Sequence, residues 1–550
     1  MLNKKIIATI ILGLFIGNVG GAVDANPKVE KRPPQKGTFY YPLNSEPERL
    51  NPINSSDLVS RFVKKHAVEG LLKQNIDTYI YEPCLAEKYE TAKDGMSYTF
   101  YLRKGVKFHN GEELTADIVK WNYEARMDDA YKAFHIRPYL DNIKNVEIID
   151  KYTVKFNIKR KYFGNLDSIG SYTILGIVPK SVYGNPNDKK ANKKLVGTGP
   201  YMLEKYNKGS FITLKRNPNW WGYHTDKLSE VDKGAYNFDK IQFRFVKEDN
   251  VHLEMLKKGK LDWGGLTPEQ YVKKTDGKPW GTKVLKKAVI NLEPKSYGFV
   301  AWNFKNPLFQ SRDVREALAR LMNRKLMNEK FNYNRALLAT GPWYRQSPYA
   351  DPNVKPFEFD PAAAKKLLNK AGWKDTDKDG ILDKVINGKK TSFAFSLMYA
   401  NKDADKYFTI YKEDLKKAGI VADLKVIEWN SFVKALDEQK FDAVALAWGG
   451  GDVNNDPKQI WHSTSNTPGG SNFISYSNKE VDKLIDEGRQ ILDNDKRKPL
   501  WKKIYRIIAN DAPYAFMFVN KYAHYAVNSR VKQPVDTHQY AIGTRYWWIE

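Results

Sequence analysis

The protein has 550 residues, of which 42% are hydrophobic and 28% are charged, and its formal net charge is +26. This composition excludes a coiled coil, a collagen-like fibre and a wholly disordered chain, and the length predicts two or three domains or two large lobes. Lysines and arginines are mixed with acidic residues along the whole chain, which favours a solvated basic surface over a nucleic-acid-binding groove.

The first 25 residues have the pattern of a secretory signal peptide. A positively charged start precedes an apolar stretch at residues 6–16, and residues 23–25 offer a cleavage site. The apolar stretch has about half of the roughly 20 residues that cross a bilayer, so we expect cleavage and export; the alternative is a retained membrane anchor. The single cysteine, Cys84, lies too far from the leader to carry a lipid there, which favours a periplasmic location.

Two amphipathic helices are predicted in the second half of the chain. The first follows Ser311, and its apolar residues recur at helical spacing; they are Val314, Ala317, Leu318, Leu321 and Met322. The second begins at Asp360, with proline at its first position, and ends before Gly372. Both apolar stripes are predicted to face a hydrophobic core, and neither indicates a functional site.

An acidic loop follows the second helix and has the oxygen spacing of a calcium-binding loop. Its carboxylates occupy the first, third, fifth and ninth positions, at Asp375, Asp377, Asp379 and Asp383. Gly380 stands at the sixth position, where such a loop turns sharply, but Ile386 replaces the bidentate glutamate at the twelfth. The pattern leaves two interpretations open, a plain acidic turn and a structural calcium site. No cofactor is predicted to be required.

Next along the chain, strand and helix patterns alternate. Residues 393–399, 423–428 and 443–448 have strand patterns, residues 404–418 have a helical pattern, and Asn430 is predicted to cap a further short helix. This β-α-β-α-β order is typical of a parallel sheet with helices on its faces.

The carboxyl ends of these strands carry the candidate binding residues, because ligands of parallel α/β sheets lie beyond that edge. The last strand ends in an aromatic ring, a backbone without side chains and a carboxylate, in the order Trp448, Gly449, Gly450, Gly451, Asp452. Trp429 follows the middle strand at the same predicted edge. We expect Asp452, Trp448, Gly449, Gly450 and Trp429 to contact a ligand.

Sequence motifs of catalysis are missing from the chain. It contains no H-E-x-x-H, no G-x-S-x-G, no Walker A loop and no G-x-G-x-x-G. A secreted glycosidase stays open as an alternative, since its paired carboxylates leave weak sequence traces. The pattern favours a binding protein over an enzyme.

Several blocks of the chain resemble a known family. Residues 98–111, which read YTFYLRKGVKFHNG, and residues 114–119, which read LTADIV, resemble the signature of the family 5 extracellular solute-binding proteins. Further similar blocks follow in the family's order, namely GTGPY at 197–201, RNPNWWG at 216–222 and VREAL at 314–318. The family includes binders of dipeptides, oligopeptides and nickel.

The resemblance implies an α/β protein with the class II periplasmic-binding-protein fold. In that fold two lobes are joined by a hinge, and the larger lobe carries an extra subdomain. The similarity places lobe 1 at residues 36–293, with the extra subdomain at about 65–195, and lobe 2 at residues 294–519. Residues 520–550 then return to lobe 1.

The resemblance also implies a function. The protein is expected to be the periplasmic substrate-binding component of an ABC importer, a monomer that captures oligopeptides between its lobes and delivers them to an inner-membrane permease. Nickel chelate, haem and oligosaccharide are the alternative ligands, because a fold alone does not determine what its site binds.

Family motifs imply roles for individual residues. In the peptide binders, an aspartate in a W-x-x-D segment pairs with the ligand's α-ammonium group; the segment from Trp448 to Asp452 matches with one extra residue, so the register of Asp452 stays open. Trp429 is similar to a pocket-lining tryptophan. Dipeptide-specific members carry an arginine near the position of residues 397–400, where this chain has none, and we therefore expect peptides longer than two residues.

Overall fold

A computed structural model of the protein describes residues 34–225, 228 and 232–550. The predicted signal peptide lies outside these residues. Within the described ranges, no helix combines the length and apolar character that crossing a bilayer requires. The chain folds into two α/β lobes with separate hydrophobic cores.

Lobe 1 is built on three main sheets. The first is mixed and has the strand order Thr38–Leu43, Lys240–Phe245, Phe211–Arg216, Tyr201–Asn207. The second is antiparallel and has the order Trp263–Gly265, Ala523–Asn528, Val284–Val289. The third is antiparallel and has the order Ala86–Thr91, Ser97–Leu102, Thr153–Ile158, Ile143–Asp150. Two short antiparallel pairs join Leu72–Gln74 to Tyr81–Pro83 and Val531–Lys532 to Trp548–Ile549.

Lobe 2 is built on one six-stranded sheet. Its strand order is Ala336–Leu338, Tyr514–Asn520, Tyr297–Trp302, Ala443–Trp448, Ala394–Tyr399, Val421–Val426. Both faces are covered, because alternate residues of one central strand enter different cores: Phe299 and Ala301 lie in one, Val300 and Trp302 in the other. A hairpin of Asp383–Ile386 and Lys389–Ser392 lies outside this sheet.

Helices cover the sheets of both lobes. Those of lobe 1 are Leu58–Lys64, Ala116–Met127, Arg137–Leu140, Asn165–Gly170, Tyr172–Leu175, Lys180–Tyr183, Asp249–Lys257 and Pro268–Lys273. Those of lobe 2 are Arg312–Arg320, Arg324–Asn332, Pro361–Lys370, Asp405–Lys417, Trp429–Asp437, Lys458–Trp461, Lys479–Arg489 and Asn494–Asp511.

The chain passes between the lobes in two neighbouring segments. Strand Val284–Val289 belongs to lobe 1 and strand Tyr297–Trp302 to lobe 2, so residues 290–296 cross over. The chain crosses back at residues 521–522, between the strands Tyr514–Asn520 and Ala523–Asn528. The two crossings lie side by side, because the strands that they join are paired neighbours in each lobe.

Most elements expected in lobe 2 are present. The parallel strands and the helix near 404–418 form as expected, and the helices after Ser311 and Asp360 are confirmed. The predicted cap at Asn430 is wrong: the helix begins at Trp429, and the Glu428 carboxylate accepts the capping hydrogen bond. Antiparallel strands on one side of the parallel unit were not predicted, since they come from distant parts of the chain.

Candidate ligand-binding cleft

A cavity of about 2250 Å³ lies between the lobes. Its walls come from both lobes and from the first crossover segment, which contributes Glu293, Pro294 and Lys295. Pockets for drug-sized molecules usually measure about 300–1,000 Å³. This cleft is large enough for a longer ligand, such as an extended chain of several residues.

The glycine turn after strand Ala443–Trp448 lines this cleft. Trp448 pairs with Tyr297, the first residue of the strand that follows the crossover, so the turn runs beside the crossover segment. At Gly450 a Cβ atom would lie 2.4 Å from the carbonyl oxygen of Pro294, which excludes any side chain. Gly449 has open space around its Cα and lines the cavity.

Asp452 follows the turn and directs its carboxylate into the cleft. The hydroxyl of Tyr79, from lobe 1, donates to its Oδ2 at 2.9 Å, and the backbone N–H of Asn454 donates to its Oδ1 at 2.7 Å. The Val453 N–H in turn donates to the Tyr79 hydroxyl at 3.2 Å. Asp452 is therefore held by neutral donors from both lobes.

A second carboxylate, Asp167 of lobe 1, faces the same region. It accepts a hydrogen bond from the Tyr81 hydroxyl. Burial and the negative charge of Asp452 raise the pKa of Asp167, and burial raises the pKa of Asp452. In the part of the chain that the structure describes, neither carboxylate forms an ion pair. Two partly buried acids with no cation beside them among the described residues create a site that favours a positively charged group.

Trp448 contributes to both the lobe core and the cleft wall. Its ring stacks on Phe299 at a centroid distance of 6.0 Å, and its indole N–H donates to the Tyr514 hydroxyl at 3.3 Å. The ring remains partly exposed and lines the cavity. The expected position at the binding edge is thus found for Trp448.

Trp429 lies elsewhere. It is 55% exposed, stacks on Phe432 of its own helix, and is not among the residues that line the cleft. The reason is the strand order, because the preceding strand, Val421–Val426, is the outer edge of the sheet, far from the crossovers. The expectation that Trp429 contacts the ligand in this cleft is contradicted by its place in the fold.

Three of the four carboxylates of the acidic loop lie close together. Ligand oxygens of Asp375, Asp377 and Asp383 lie within 4.8 Å of one another, whereas Asp379 accepts a hydrogen bond from the Ile381 N–H and stays outside the group. The Lys390 ammonium contacts Asp377 at 2.5 Å and Asp383 at 3.5 Å, so one positive charge already offsets part of the negative charge of the cluster. Calcium binding stays a prediction here, and melting curves with calcium and with chelator test it.

Lobe 1 supplies charged side chains that the sequence patterns did not reveal. Besides Asp167, the cations Lys65 and Arg545 line the cleft, and they come from segments almost the whole chain apart. No local motif marks them, and a lysine doublet such as Lys64-Lys65 is typical of ordinary surface charge.

The lobes also touch each other directly. The Phe163 N–H of lobe 1 donates to the Arg489 carbonyl of lobe 2 at 3.0 Å, and the Phe163 ring lies 4.0 Å from the Arg497 guanidinium carbon. The Tyr162 hydroxyl and the Arg489 Nε both donate to Asp456, at 3.0 and 2.9 Å. We call residues 162 and 163, together with Asp456, Arg489, Arg497 and Trp501 of lobe 2, the interlobe contact.

Two lobes, two crossovers and a large cleft with a carboxylate that has no cationic partner among the described residues form the architecture of a ligand-binding protein. The family described as bacterial extracellular solute-binding proteins, family 5 (middle), matches residues 81–471. The chain belongs to this family, which confirms the predicted membership and the two-lobed fold.

Similar proteins of known name cover nearly the whole chain. The oligopeptide-binding protein AppA of Bacillus subtilis is 29% identical over 531 residues, which cover 92% of this chain and 91% of the relative. The dipeptide-binding protein of Pseudomonas aeruginosa is 28% identical, with 78% and 80% covered. The solved structure of AppA from Bacillus subtilis with a nonapeptide has a TM-score of 0.71 at 26% identity, with 94% and 100% covered.

A metal-chelate binder shares the fold. The solved structure of NikA from Brucella suis in complex with Fe(III)-EDTA has a TM-score of 0.75 at 22% identity and covers 90% of this chain and 96% of that one. At this identity the likeness concerns the fold alone, and the ligand has to be inferred from the cleft.

Proposed function

We propose that this protein is the periplasmic substrate-binding component of an ABC importer and that it captures oligopeptides in the cleft. It releases them, unaltered, to an inner-membrane permease and acts as a monomer. The observation that carries the proposal is the Asp452 carboxylate, which faces the cleft between two neutral hydrogen-bond donors and has no cation beside it in the described part of the chain.

A peptide's α-ammonium group carries the positive charge that is missing beside the Asp452 carboxylate. The N–H groups of this ammonium would donate hydrogen bonds to the Asp452 carboxylate. Asp167 would add a second negative charge from the other lobe. A charge-assisted pair in a water-poor cleft is stronger than a neutral hydrogen bond. Because Asp167 and Tyr79 belong to lobe 1 and Asp452 to lobe 2, ammonium binding would also hold the lobes together.

The size of the cleft favours peptides longer than two residues. Its volume of about 2250 Å³ exceeds what a dipeptide needs, and the glycine turn leaves backbone groups open for an extended chain. The full-length similarity to oligopeptide-binding AppA supports the same ligand class. A periplasmic location is supported by the signal-peptide pattern of the first 25 residues.

Native mass spectrometry of protein purified from its own periplasm tests the proposal. A closed site retains captured ligand, so we expect extra masses that fragment as peptides of three or more residues. The mature chain is expected to begin near Asn26. Bound masses that correspond to haem, a metal chelate or a sugar would contradict peptide capture and leave only the family's general binding function.

Peptide affinity is expected to fall as the pH drops below neutrality. In the ligand-free protein, burial and the Asp452 charge raise the pKa of Asp167 to about 7. The ammonium group binds the ionised pair and lowers that pKa, so binding releases a proton. The affinity therefore has its full value at a pH above the pKa of Asp167 in the ligand-free protein. At lower pH the affinity decreases, by up to about tenfold per pH unit.

Calorimetry at neutral and acidic pH checks this dependence. The Asp167→Asn variant should bind with a flatter pH profile, because one of the two titrating carboxylates is gone. A wild-type affinity that stays constant between neutral and mildly acidic pH would argue against an acidic pair at the ligand.

A further inference from the structure

The turn that carries Tyr79 has an unfavourable backbone conformation at that residue. Tyr79 has a φ of +61°, in the left-handed region, which is costly for a residue with a side chain and persists only when its surroundings fix it. The turn follows strand Leu72–Gln74, and the Tyr79 N–H donates to the Asn75 carbonyl oxygen at 2.9 Å. The Asn75 side-chain oxygen accepts from the N–H groups of Asp77 and Thr78, at 2.8 and 3.1 Å. The position of the Tyr79 hydroxyl therefore depends on what holds this turn in place.

The C-terminal segment contacts this turn at three consecutive residues. His538 Nδ1 lies 2.8 Å from Oδ2 of the Asp77 carboxylate, and the Gln539 N–H donates to Oδ1 of the same carboxylate at 3.0 Å. The Tyr540 ring lies 4.9 Å from the Tyr79 ring, measured between their centroids. The Asp77 carboxylate is thus the point at which the C-terminal segment is hydrogen-bonded to the turn.

The His538 ring is buried and directs one nitrogen at Asp77. Its side chain is 3% exposed, and its Nε2 has no hydrogen-bond partner among the described residues. An ionised carboxylate only accepts hydrogen bonds, so Nδ1 carries the proton that is donated to Asp77. The ring fits here because Gly543 has no side chain, since a Cβ atom at that position would lie 2.2 Å from His538 Cδ2. Within the described part of the chain, the hydrogen bonding of this imidazole is therefore devoted to Asp77.

The same C-terminal segment also binds the first crossover between the lobes. The Leu292 N–H donates to the Gln539 carbonyl oxygen at 2.6 Å. The Asn291 side-chain amide donates to the Thr537 hydroxyl at 3.0 Å. The Tyr79 turn and the crossover are therefore attached to one short piece of chain, which fixes the turn relative to the point where the two lobes join.

We propose that His538 is a positioning residue for ligand capture, which acts through Asp77 to hold Tyr79 within reach of Asp452. Neither His538 nor Asp77 is among the described residues that line the cavity, so an effect of this pair on a ligand passes through Tyr79. Tyr79 does line the cavity, and its hydroxyl donates to Asp452 Oδ2 across the lobes at 2.9 Å. The hydrogen bond between the lobes is thus set from behind the cavity wall.

Loss of the His538 hydrogen bond would release the turn without leaving a buried charge behind. The Asp77 side chain is 34% exposed, so water can solvate its carboxylate once the imidazole is gone. A hydrogen bond to an ionised acceptor is stronger than a neutral one, and its loss removes a restraint on the backbone of Tyr79. The Tyr79 hydroxyl should then spend less time at Asp452 and at the Val453 N–H, which donates to it at 3.2 Å.

Amide hydrogen exchange of the ligand-free protein tests this role without any peptide. Val453 belongs to lobe 2, and its N–H donates to the Tyr79 hydroxyl, so its exchange rate reports on the position of Tyr79. In His538→Phe, which keeps a ring in the same space, we expect Val453 to exchange about tenfold faster than in the wild type. His538→Asn places a side-chain N–H near the position of Nδ1 and should restore the slow rate.

A buried histidine of lobe 2 is the matched control. The His462 side chain is 6% exposed, and its Nε2 lies 3.2 Å from an Asp486 oxygen, as His538 lies beside Asp77. His462→Phe should lower the melting temperature and leave the Val453 exchange rate unchanged. If His538→Phe likewise lowers the melting temperature and leaves the Val453 rate unchanged, His538 is only a structural residue and the inference is wrong.

Peptide affinity gives a second readout, and here the inference rests on the proposed peptide capture. Calorimetry uses the alanine peptide of three to six residues that the wild type binds most tightly. We expect His538→Phe to weaken binding about tenfold when Tyr79 is present and by less than about twofold in a Tyr79→Phe background, because both changes remove the same hydrogen bond between the lobes. Equal losses in the two backgrounds would contradict a role that acts through Tyr79.

Failure of this inference and failure of the proposed function give different results. If alanine peptides bind but His538→Phe changes neither their affinity nor the Val453 exchange rate, the positioning role is wrong and peptide capture stands. If no alanine peptide binds, peptide capture is contradicted, while the Val453 exchange rate still decides whether His538 positions Tyr79.

Discussion

Replacement of Asp452 with alanine is expected to weaken peptide binding by two to three orders of magnitude or more. Loss of one partner of a buried charge pair typically costs about 3–5 kcal/mol. The Asp452→Asn variant keeps the shape: its Oδ1 can still accept from the Asn454 N–H, and its amide can donate to the Tyr79 hydroxyl. It therefore isolates the effect of charge and should bind nearly as weakly. Calorimetric titration of each variant with one peptide captured by the wild type gives the comparison.

Stability serves as the control for this substitution. Because Asp452 raises the pKa of Asp167, removal of its charge relieves repulsion in the ligand-free protein, and the Asp452→Asn variant, which keeps polar partners for Tyr79 and the Asn454 N–H, should melt no lower than the wild type. Asp423→Ala removes an exposed aspartate of the sheet edge and should leave affinity unchanged, since exposed ion pairs contribute only about 0–1 kcal/mol. An Asp452→Ala affinity within a few-fold of wild type would refute the anchor.

Replacement of Phe163 with alanine is expected to shift the protein towards an arrangement in which the lobes are apart. The Phe163 ring packs on Arg497 and lies edge to face with Trp501 at 6.2 Å, and both partners belong to the other lobe. Burial of a phenylalanine contributes about 1.5–3 kcal/mol, which here stabilises only the arrangement in which the lobes meet. The apparent affinity should therefore fall about ten- to hundredfold, in proportion to the population that can enclose the ligand.

Small-angle X-ray scattering measures this shift directly. The ligand-free Phe163→Ala variant should have a larger radius of gyration than the wild type, and saturating peptide should bring the two together. Phe211→Ala is the matched control, because Phe211 is also half-buried with a cation, Lys205, over its ring, but both belong to lobe 1. A radius of gyration that is the same in both variants and unaffected by peptide would contradict closure through the interlobe contact.

The local part of the lobe-2 fold was predictable, because its signals lie within short stretches. Alternation and helical spacing between residues 393 and 448 correctly indicated three parallel strands and the helices between them. The order of strands in the sheet is a long-range property, however. Placement of Val421–Val426 at the outer edge carries Trp429 away from the cleft, and no pattern near Trp429 reports this.

Only the lobe-2 wall of the cleft could be predicted from the sequence, because the residues of that wall belong to one recognisable motif. The glycine turn indicated Trp448, Gly449, Gly450 and Asp452, all of which line the cavity. Because the motif has one extra residue, the sequence did not determine which way the Asp452 side chain points. In the structure its carboxylate accepts a hydrogen bond from Tyr79, which lies 373 positions earlier in the chain. Opposing groups from lobe 1 come from scattered segments without a shared motif, and only the three-dimensional fold brings them together.

The central claim is that the Asp452 carboxylate binds the free amino terminus of a peptide, and a double-mutant cycle between protein and ligand tests it most directly. Calorimetry is run on the wild type and Asp452→Asn with one captured peptide and its N-acetylated form. We expect acetylation to weaken wild-type binding about a hundredfold or more and to change Asp452→Asn binding by less than about threefold, because the two changes remove the same interaction. Equal losses on acetylation in both proteins would show that the amino terminus binds elsewhere and would contradict the assignment.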